Sequence, residues 1–258
     1  MLFNYEHEEN KVSRVLNTFE AIDLKRLDSV KLLNRVDSKY VFHISQFEDL
    51  LKEISSQYYV LEIEDKRMFS YESLYFDTDD YLLYKFHHNG KLNRLKVRYR
   101  KYLDSGLTYF EVKYKVKGNR TDKVRLRDED IKSELTDKEL ELVHHDYVDI
   151  HGLHKKLWVH FKRITLAGKN IDERATLDLN LSFDNFQQKK TFPELIIAEI
   201  KQEKNNVFSP MIQAFKRRHF EEVGFSKYST GVALLEDIKN NAFKPNLIKI
   251  KRIINGNS

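Results

Sequence analysis

The chain has 258 residues, of which 45 are Lys or Arg and 40 are Asp or Glu, so its formal net charge is +5. Its residues are 41% hydrophobic, its mean hydropathy is −0.62, and no apolar stretch approaches the roughly 18 residues of a membrane-spanning helix. The absence of cysteine excludes disulfide and thiolate chemistry, and the length allows one large or two small domains around a sizeable core.

The N-terminus carries Glu6, Glu8 and Glu9, whereas a secretory signal begins with basic residues and an apolar run. Together with the absence of cysteine, this pattern predicts a soluble protein located in the cytoplasm. Glycine and proline are scarce, which excludes low-complexity linkers and indicates continuous regular structure. No internal domain boundary stands out.

Alternation of apolar and polar residues predicts eight strands, and a turn at Asp104-Ser105-Gly106 joins the third and fourth of them as a hairpin. In chain order the strands are expected at 35–43, 68–77, 95–102, 109–117, 123–127, 157–166, 171–179 and 195–201. Capping boxes at Ser45-Gln46-Phe47-Glu48 and Thr136-Asp137-Lys138-Glu139 begin two helices, and Pro210 stands at the first position of another. The helices are expected at 45–55, 79–88, 136–145, 209–223 and 229–239.

Antiparallel hairpins with segregated helices are typical of the α+β class, and eight strands are a number that can close into a small barrel. The net charge is concentrated in part of this predicted sheet. Between Lys91 and Arg127 there are 13 basic and three acidic residues, a net charge of +10, so the rest of the chain sums to −5. Such an asymmetry is typical of a protein whose partner is a polyanion, and a solvated basic surface is the alternative.

The basic segment places its charges on single strand faces. Lys96, Arg98 and Arg100 lie on one face of their strand, because successive side chains of a strand point to opposite sides. The next two strands repeat the pattern with Glu111, Lys113, Lys115 and Lys117, and then with Lys123, Arg125 and Arg127.

An ordinary sheet would turn these charged faces to water, whereas a barrel with apolar outer faces under helices would turn them into its lumen. Two like charges about 7 Å apart cost roughly 2 kcal/mol at an effective dielectric of about 20, so a cationic lumen calls for an anion with several charges. Charges within apolar runs of the later strands favour the lined barrel, although an ion pair is the structural alternative for each. These are Arg163, Arg174, Asp178, Glu199 and Lys201.

Other chemistry-bearing motifs are weak. The chain has no Gly-x-x-x-x-Gly-Lys-Ser/Thr and no Gly-x-Gly-x-x-Gly, so side chains would have to bind any nucleotide phosphates. His151 and His154 follow two further histidines, but no nearby acid completes a metal-ligand set with helical spacing, so these histidines are expected at the surface.

Five short motifs come in the order and at roughly the spacing of one known family. They are RVDSKY at 35–40, KVRYR at 96–100, FEVK at 110–113, AEIK at 198–201 and FSKY at 225–228. In these the chain resembles the VTC domain, the catalytic domain of the vacuolar transporter chaperone polyphosphate polymerase and its bacterial relatives, within the triphosphate tunnel metalloenzyme superfamily. The resemblance covers about residues 19–237, and we expect residues 1–258 to form a single domain of this type.

The resemblance implies an eight-stranded antiparallel β-barrel that forms a tunnel, is jacketed by helices and ends in a C-terminal helix. It also implies transfer of the γ-phosphate of ATP onto a growing inorganic polyphosphate chain, with Mn²⁺ or Mg²⁺. ATP and polyphosphate are the expected partners, and nucleic acid is not. The residues before the first motif are too few for a regulatory SPX domain, and the lack of a membrane segment leaves room for a separate membrane partner.

Motif positions assign the implied roles. Catalytic roles fall to Arg98, Arg100, Lys113, Arg163, Arg174 and Lys201. Phosphate binding falls to Lys39, Lys123, Ser226 and Lys227, and metal binding to Glu199. Alternation alone adds Lys115 and Arg125 as phosphate-binding residues and Glu111 as a second metal ligand. Gly224 departs from the pattern, since a further basic residue is expected there.

Three other functions remain open. A triphosphate or polyphosphate hydrolase would use the same lumen, although the tandem Glu-x-Glu-x-Lys signature of other tunnel enzymes is absent. A non-catalytic polyphosphate-binding sensor would keep the basic wall and tolerate loss of Glu199. A nucleic-acid binder would present the basic segment on an open surface, and its affinity would fall steeply with salt.

Overall fold

The structure, a computed structural model, describes residues 5–29, 36–115, 121–143, 148–203, 206 and 208–255. Its helices are α1 (Tyr5–Leu16), α2 (Leu24–Ser29), α3 (Phe47–Ile54), α4 (Leu82–His88), α5 (Asp137–Leu140), α6 (Pro210–Arg217), α7 (Lys227–Leu235) and α8 (Lys244–Ile254). Its strands are β1 (Glu20–Ile22), β2 (Val36–His43), β3 (Tyr58–Leu61), β4 (Phe69–Asp77), β5 (Arg94–Tyr102), β6 (Leu107–Lys115), β7 (Thr121–Asp128), β8 (His154–Gly168), β9 (Glu173–Asp184), β10 (Lys189–Phe192) and β11 (Leu195–Gln202).

The eight predicted strands form the body of one sheet. They pair antiparallel in the order β2, β11, β9, β8, β4, β5, β6 and β7, which confirms the α+β class. Three further strands join at the side: β1 pairs in parallel with β3, while β3 and β10 pair antiparallel with β8 and β9. Each of the three has only three or four residues, too few for alternation to be read from sequence.

The predicted closure into a barrel is wrong. Strands β2 and β7 are the two ends of the strand order, and no pairing joins them in the part of the chain that the structure describes. The free edge of β2 is used by the segment before α7 instead. There the Val223 amide donates to the Lys39 carbonyl at 2.7 Å, and Glu222 bridges to Tyr40. The result is a curled, tunnel-like sheet.

Two helix boundaries near the predicted capping boxes differ in outcome. The box at Thr136 is confirmed, since the Thr136 amide donates to Glu139 Oε2 at 2.7 Å. The described helix there, α5, ends at Leu140 and a turn follows, so the predicted continuation towards residue 145 is wrong; residue 145 itself lies outside the described residues. The box at Ser45 is wrong: a 3₁₀ turn precedes α3, and the Ser45 amide donates to the ring of His43 at 3.1 Å.

The C-terminal helices also shift. The predicted helix at 209–223 ends at Arg217, because His219 adopts a left-handed backbone with φ of 56° and the chain then turns to reach β2. The next helix, α7, begins at Lys227, two residues before the prediction, because the Ser226 hydroxyl accepts a hydrogen bond from the Ser229 amide as its N-cap. Helices α1, α2 and α8 were not predicted.

Helices cover the outer, apolar face of the curled sheet. On one half, side chains such as Phe42, Leu177 and Ile196 form a buried core with α1, α3 and α6, including Leu50 and Phe215. On the other half, a second core joins β4, β5 and β6 to α4. The apolar faces therefore point outward under helices, and the charged faces point inward, as the lined-barrel interpretation predicted.

Helix α7 lies against the inner face of β8 and β9. Its Val232 and Leu235 join a third core with Leu157 and Phe183, to which α8 adds Ile250 and others. The helix can approach this closely because residue 231 is glycine: a Cβ there would lie 2.6 Å from atoms of both Leu157 and Phe183. Helix α7 thus fills one end of the curl with apolar side chains and directs its N-terminus at the charged part.

This packing generates a prediction about stability. We expect Gly231→Ala to lower the free energy of unfolding by about 1–2 kcal/mol, because overpacking costs about 1–3 kcal/mol and exceeds the gain in helix propensity of up to about 1 kcal/mol. Gly224→Ala is the control, since a Cβ at Gly224 meets no atom within 4 Å. Urea unfolding of both variants measures the difference. A Gly231→Ala variant at least as stable as Gly224→Ala would contradict the close packing of α7.

Candidate functional site

Strand register places the charges of the basic segment on the inner face of the sheet. Residues directly opposite each other in an antiparallel pair share a face. On β5, β6 and β7, Arg98 lies opposite Glu111, which lies opposite Arg125. One step along, Lys96, Lys113 and Lys123 form a second row. We call this inner face, from β2 to β7, the lumen.

The other half of the sheet continues the same face. Glu199 on β11 lies opposite Lys39 on β2, and Lys201 lies opposite Arg174 on β9. Arg163 on β8 lies opposite Asp178 on β9. The structure thus brings every residue that the sequence assigned to the site to the lumen or its rim. On the strands these are Lys39, Arg98, Arg100, Glu111, Lys113, Lys115, Lys123, Arg125, Arg163, Arg174, Glu199 and Lys201, and at the start of α7 they are Ser226 and Lys227.

Glu111 is 1% exposed and holds cations from two neighbouring strands. Arg98 donates to its Oε2 from Nε and Nη2 at 2.9 and 2.6 Å, and Lys123 forms an ion pair with Oε1. Arg98 also donates to the Tyr75 hydroxyl at 2.8 Å. Burial by itself raises the pKa of Glu111, but the charges of Arg98, Arg100 and Lys123 lower that pKa well below its usual range. The carboxylate is therefore ionised and fixes the Arg98 guanidinium in place.

Asp178 organises a second group of cations. Arg163 donates to both of its carboxylate oxygens, at 2.6 and 2.8 Å, and Lys227 of α7 pairs with Oδ2. Burial raises the pKa of Asp178, yet the charges of Arg163 and Lys227 bring that pKa down to about 2. The ion pair between Asp178 and Lys227 ties the first residue of α7 to the sheet.

Two stacked aromatic rings lie beneath these cations. The rings of Tyr71 and Phe161 have centroids 5.2 Å apart and planes within 5° of parallel. The guanidinium of Arg100 lies 5.7 and 5.6 Å from the two centroids, and that of Arg163 lies 5.4 and 5.1 Å from them. The Lys227 ammonium lies 4.6 Å from the Phe161 centroid. The electron-rich ring faces stabilise three cations that repel one another.

Glu199 is the carboxylate of the β11 side of the lumen. Its Oε2 lies 3.3 Å from the Lys201 ammonium. Burial raises the pKa of Glu199, but the charges of Lys201, Lys39 and Arg163 outweigh burial and leave that pKa far below its usual range. Glu199 is thus ionised at neutral pH and set among cations.

Several cations of the lumen have no carboxylate of their own. The Arg100 guanidinium donates to the Ser73 hydroxyl at 3.2 Å, and burial together with the charge of Arg98 lowers its pKa. In the described part of the chain, Lys113 makes no hydrogen bond or ion pair, and the charge of Arg98 and burial lower its pKa well below the usual range. In the described part of the chain neither side chain has a carboxylate partner, so a bound anion would favour the charged form of both.

Three further predicted site residues lie at the rim of the lumen. Arg174 donates to the backbone carbonyl of Leu27 in α2, so part of its hydrogen-bonding capacity is used by the fold. Arg125 lies on the exposed strand β7, with its guanidinium 5.0 Å from the centroid of Tyr109. The Lys39 ammonium donates to the Phe225 carbonyl at 3.0 Å, beside the N-cap of α7.

Sequence reasoning missed some of the residues that build the lumen. Alternation placed Lys96 on the same face as Arg98 but gave it no role, and in the structure it donates to the Ser226 hydroxyl at 2.8 Å. Sequence reasoning noted Asp178 as a charge within an apolar run but gave it no role, because its partner Lys227 is distant in sequence. The roles of Tyr71 and Phe161 depend on strand pairing, for which the sequence gives no local signal.

The described residues contain no cluster of three or more His, Asp or Glu side chains placed to hold a metal ion. Glu111 and Glu199, the two predicted metal ligands, belong to separate groups of charges. Both oxygens of Glu111 lie against cations, whereas Glu199 contacts one lysine. A metal ion at this site would therefore need most of its ligands from a substrate and from water. No helix in the described part of the chain has the length and apolar character needed to cross a membrane.

Comparison with solved structures found relatives at low identity. One is a proposed adenylate cyclase from Bacillus halodurans, 13% identical, covering 75% of this chain and 96% of that chain with a TM-score of 0.46. Another is a protein from Pyrococcus horikoshii, 16% identical, covering 77% and 96% with a TM-score of 0.44. A third is a proposed adenylyl cyclase from Hippeastrum with a dominant triphosphatase activity, 12% identical, covering 77% and 96% with a TM-score of 0.47. At these TM-scores the similarities add no weight to a functional assignment.

A search of curated proteins found no match. A family model does match: that of the VTC domain, over residues 34–236, which is most of the chain and includes all eight principal strands. The match agrees with the order of the five motifs and with the inward-facing basic side chains. The chain therefore belongs to the VTC domain family.

Proposed function

We propose that this protein is a polyphosphate polymerase, which transfers the γ-phosphate of ATP onto a growing inorganic polyphosphate chain inside the lumen. The observation that carries the proposal is the inward orientation of the cations, of which Arg100 and Lys113 have no carboxylate partner among the residues that the structure describes. Membership of the VTC domain family supports an enzyme acting on triphosphate or polyphosphate. ATP and polyphosphate are the proposed substrates.

The arrangement of the cations suits a linear chain of phosphates. Successive inward side chains on a strand lie roughly 7 Å apart, and neighbouring strands add further cations at about 5 Å. Arginine binds phosphate oxygens with two parallel hydrogen bonds, and lysine supplies a compact charge. A polyanion in the lumen would relieve the repulsion among these groups, so the repulsion in the empty lumen favours binding of the polyanion.

A divalent cation fits one position in the lumen. Mg²⁺ is commonly bound by one or two carboxylates together with substrate phosphates and water, and Mn²⁺ accepts the same oxygen ligands. Glu199 is an ionised carboxylate of this kind, and we propose it as the protein ligand of Mn²⁺ or Mg²⁺. When bound, the ion would neutralise charge on the nucleotide phosphates. Glu111 stays a prediction as a second ligand, because Arg98 and Lys123 already occupy its oxygens.

The proposed mechanism needs no nucleophilic side chain. The terminal oxygen of polyphosphate is already anionic, so no general base has to remove a proton from it. Catalysis then consists of aligning the two phosphates and stabilising charge on the transferred group. Arg98 and Arg163 are held rigidly by Glu111 and Asp178, which suits positioning. Among the described residues Arg100 and Lys113 have no carboxylate partner, and bound phosphate would favour the charged form of both, which suits stabilisation of the transition state.

Incubation of the purified protein with ATP and Mn²⁺ tests the proposal. We expect acid-labile polyphosphate to form at the expense of ATP. Free phosphate without polymer would instead indicate a hydrolase. Binding of polyphosphate without consumption of ATP would indicate a sensor, and RNA binding that survives competition by short polyphosphate would indicate a nucleic-acid binder.

Replacement of Glu199 tests the metal ligand. We expect Glu199→Gln to abolish most polymer synthesis at a fixed Mn²⁺ concentration and to remain folded by circular dichroism, because the amide loses the charge that holds the ion. Glu221→Gln is the control, since it removes the same charge from a carboxylate whose side chain is 80% exposed. Full activity of Glu199→Gln, with an unchanged dependence on Mn²⁺, would overturn the assignment.

Replacement of Arg100 separates an organised lumen from net charge. We expect Arg100→Met to lower the rate of polymer synthesis at least about tenfold, since a charge-assisted hydrogen bond to phosphate contributes about 1.5–3 kcal/mol. The same variant should unfold at an equal or higher temperature, because it relieves repulsion with Arg98 and Arg163. Lys239→Met removes one charge from an exposed position and should keep the rate. Equal rates of the two variants would show that only net charge matters.

A further inference from the structure

Lys96 is a cation of the lumen to which neither motif position nor family membership assigned a role. It lies on the inner face of β5, and its ammonium nitrogen is 2.8 Å from the Ser226 hydroxyl at the N-cap of α7. In the described part of the chain this neutral hydroxyl is the hydrogen-bond partner of Lys96, and no carboxylate pairs with it. Lys96 thus differs from Arg98, Lys123 and Arg163, each of which is paired with an acid.

A chain of hydrogen bonds leads from Lys96 away from the lumen. The Ser226 hydroxyl lies 3.3 Å from that of Ser229, which lies 2.5 Å from Nδ1 of His87 on α4. Burial, together with the charges of Lys96 and Arg94, lowers the pKa of His87 to about 3, so its ring is neutral and Nδ1 can accept a hydrogen bond. Each hydroxyl can then donate towards His87, which leaves the Ser226 oxygen free to accept from Lys96. The chain fixes the position of the Lys96 side chain.

The charges that face Lys96 come from every element around it. Lys113 lies directly opposite on β6, and Lys123 lies opposite Lys113 on β7, so three lysines form one row across three strands. Like charges in directly opposite positions destabilise a sheet. The groups facing Lys96 are Arg94 and Arg98 on β5, Glu111, Lys113 and Lys115 on β6, Lys123 on β7, Lys39 on β2, Glu199 on β11, His87 on α4 and Lys227 on α7.

We propose that Lys96 is a further phosphate-binding residue of the lumen, and that it takes up a proton from solvent when a phosphate chain binds. The inference rests on the proposed function in one respect, that the lumen binds phosphate anions. Its geometric basis is the row of opposed lysines, the neutral partner Ser226 and the fixed position of the side chain. A bound phosphate would give Lys96 an anionic partner in direct contact, whereas among the described residues its hydrogen-bond partner is the neutral Ser226 hydroxyl.

The direction of the proton transfer follows from the surroundings. Burial, reinforced by the charges of Lys39, Arg98 and Arg94, lowers the pKa of Lys96 to about 7. In the free protein the amine is therefore largely neutral above this pH and protonated below it. An adjacent phosphate favours the ammonium form and raises the pKa. Proton uptake on binding is thus expected at about pH 8, where the free amine is neutral, and should vanish at about pH 6, where it already carries the proton.

Calorimetric titration with inorganic tripolyphosphate tests the proposal without catalysis. Titration in buffers of different ionisation enthalpy gives the number of protons taken up per ligand bound. At about pH 8 the wild type should take up about one proton more than Lys96→Met, and at about pH 6 the two should agree. Lys96→Met should also bind at least about tenfold more weakly at about pH 6. Lys239→Met, altered at an exposed position, should match the wild type.

Lys96→Arg separates the charge from the proton transfer. Arginine stays protonated throughout this pH range, so this variant should keep the affinity and lose the extra proton uptake. Thermal unfolding checks that each variant is folded. Equal affinity and equal proton uptake in Lys96→Met and the wild type would overturn the role of Lys96 while leaving the proposed function intact. Failure of the folded wild type to bind tripolyphosphate would overturn the proposed function as well.

Discussion

Repulsion among cations on the inner face of one curled sheet is the constraint on which this structure depends. Among the residues that the structure describes, two buried carboxylates each hold two cations and offset part of the repulsion: Glu111 holds Arg98 and Lys123, and Asp178 holds Arg163 and Lys227. Glu199 adds a third negative charge beside Lys201. Removal of one partner from such a buried cluster leaves an uncompensated charge and is strongly destabilising. The carboxylates are therefore structural supports of a site whose remaining cations stay available to a ligand.

The helices make this inverted arrangement stable. An ordinary sheet buries its apolar face and exposes its polar face, but here α1, α3, α4 and α6 cover the apolar face from outside. The hydrophobic stabilisation then comes from the outer layer and does not require the inner face to be apolar. Because the stabilising core lies outside the sheet, the inner face can carry cations that repel one another and that bind an anion.

Helix α7 contributes both to the apolar packing and to the charged lumen. Its apolar residues fill one end of the curl against β8 and β9, while its first residues, Ser226 as N-cap and Lys227, reach the cations of the lumen. Two contacts hold the helix in place: the close approach of Gly231 to Leu157 and Phe183, and the ion pair of Lys227 with Asp178. Packing of a single helix therefore sets the geometry of a charged site, and a shift of α7 would displace Ser226 and Lys227 together.

The sequence by itself determined the eight principal strands and which of their side chains share a face, because alternation is a local property of an extended chain. It also determined, through five motifs in order, the family and the residues that meet in the lumen. Tertiary structure alone decided that β2 and β7 do not pair within the described residues, since the segment around Val223 occupies the edge of β2. It also decided which cations are paired: Asp178 and Lys227, or Lys96 and Ser226, lie far apart in the chain and meet only when α7 packs inside the curl. Such contacts depend on which distant segment pairs with a given strand edge or charged side chain. A local sequence pattern carries no information about that choice.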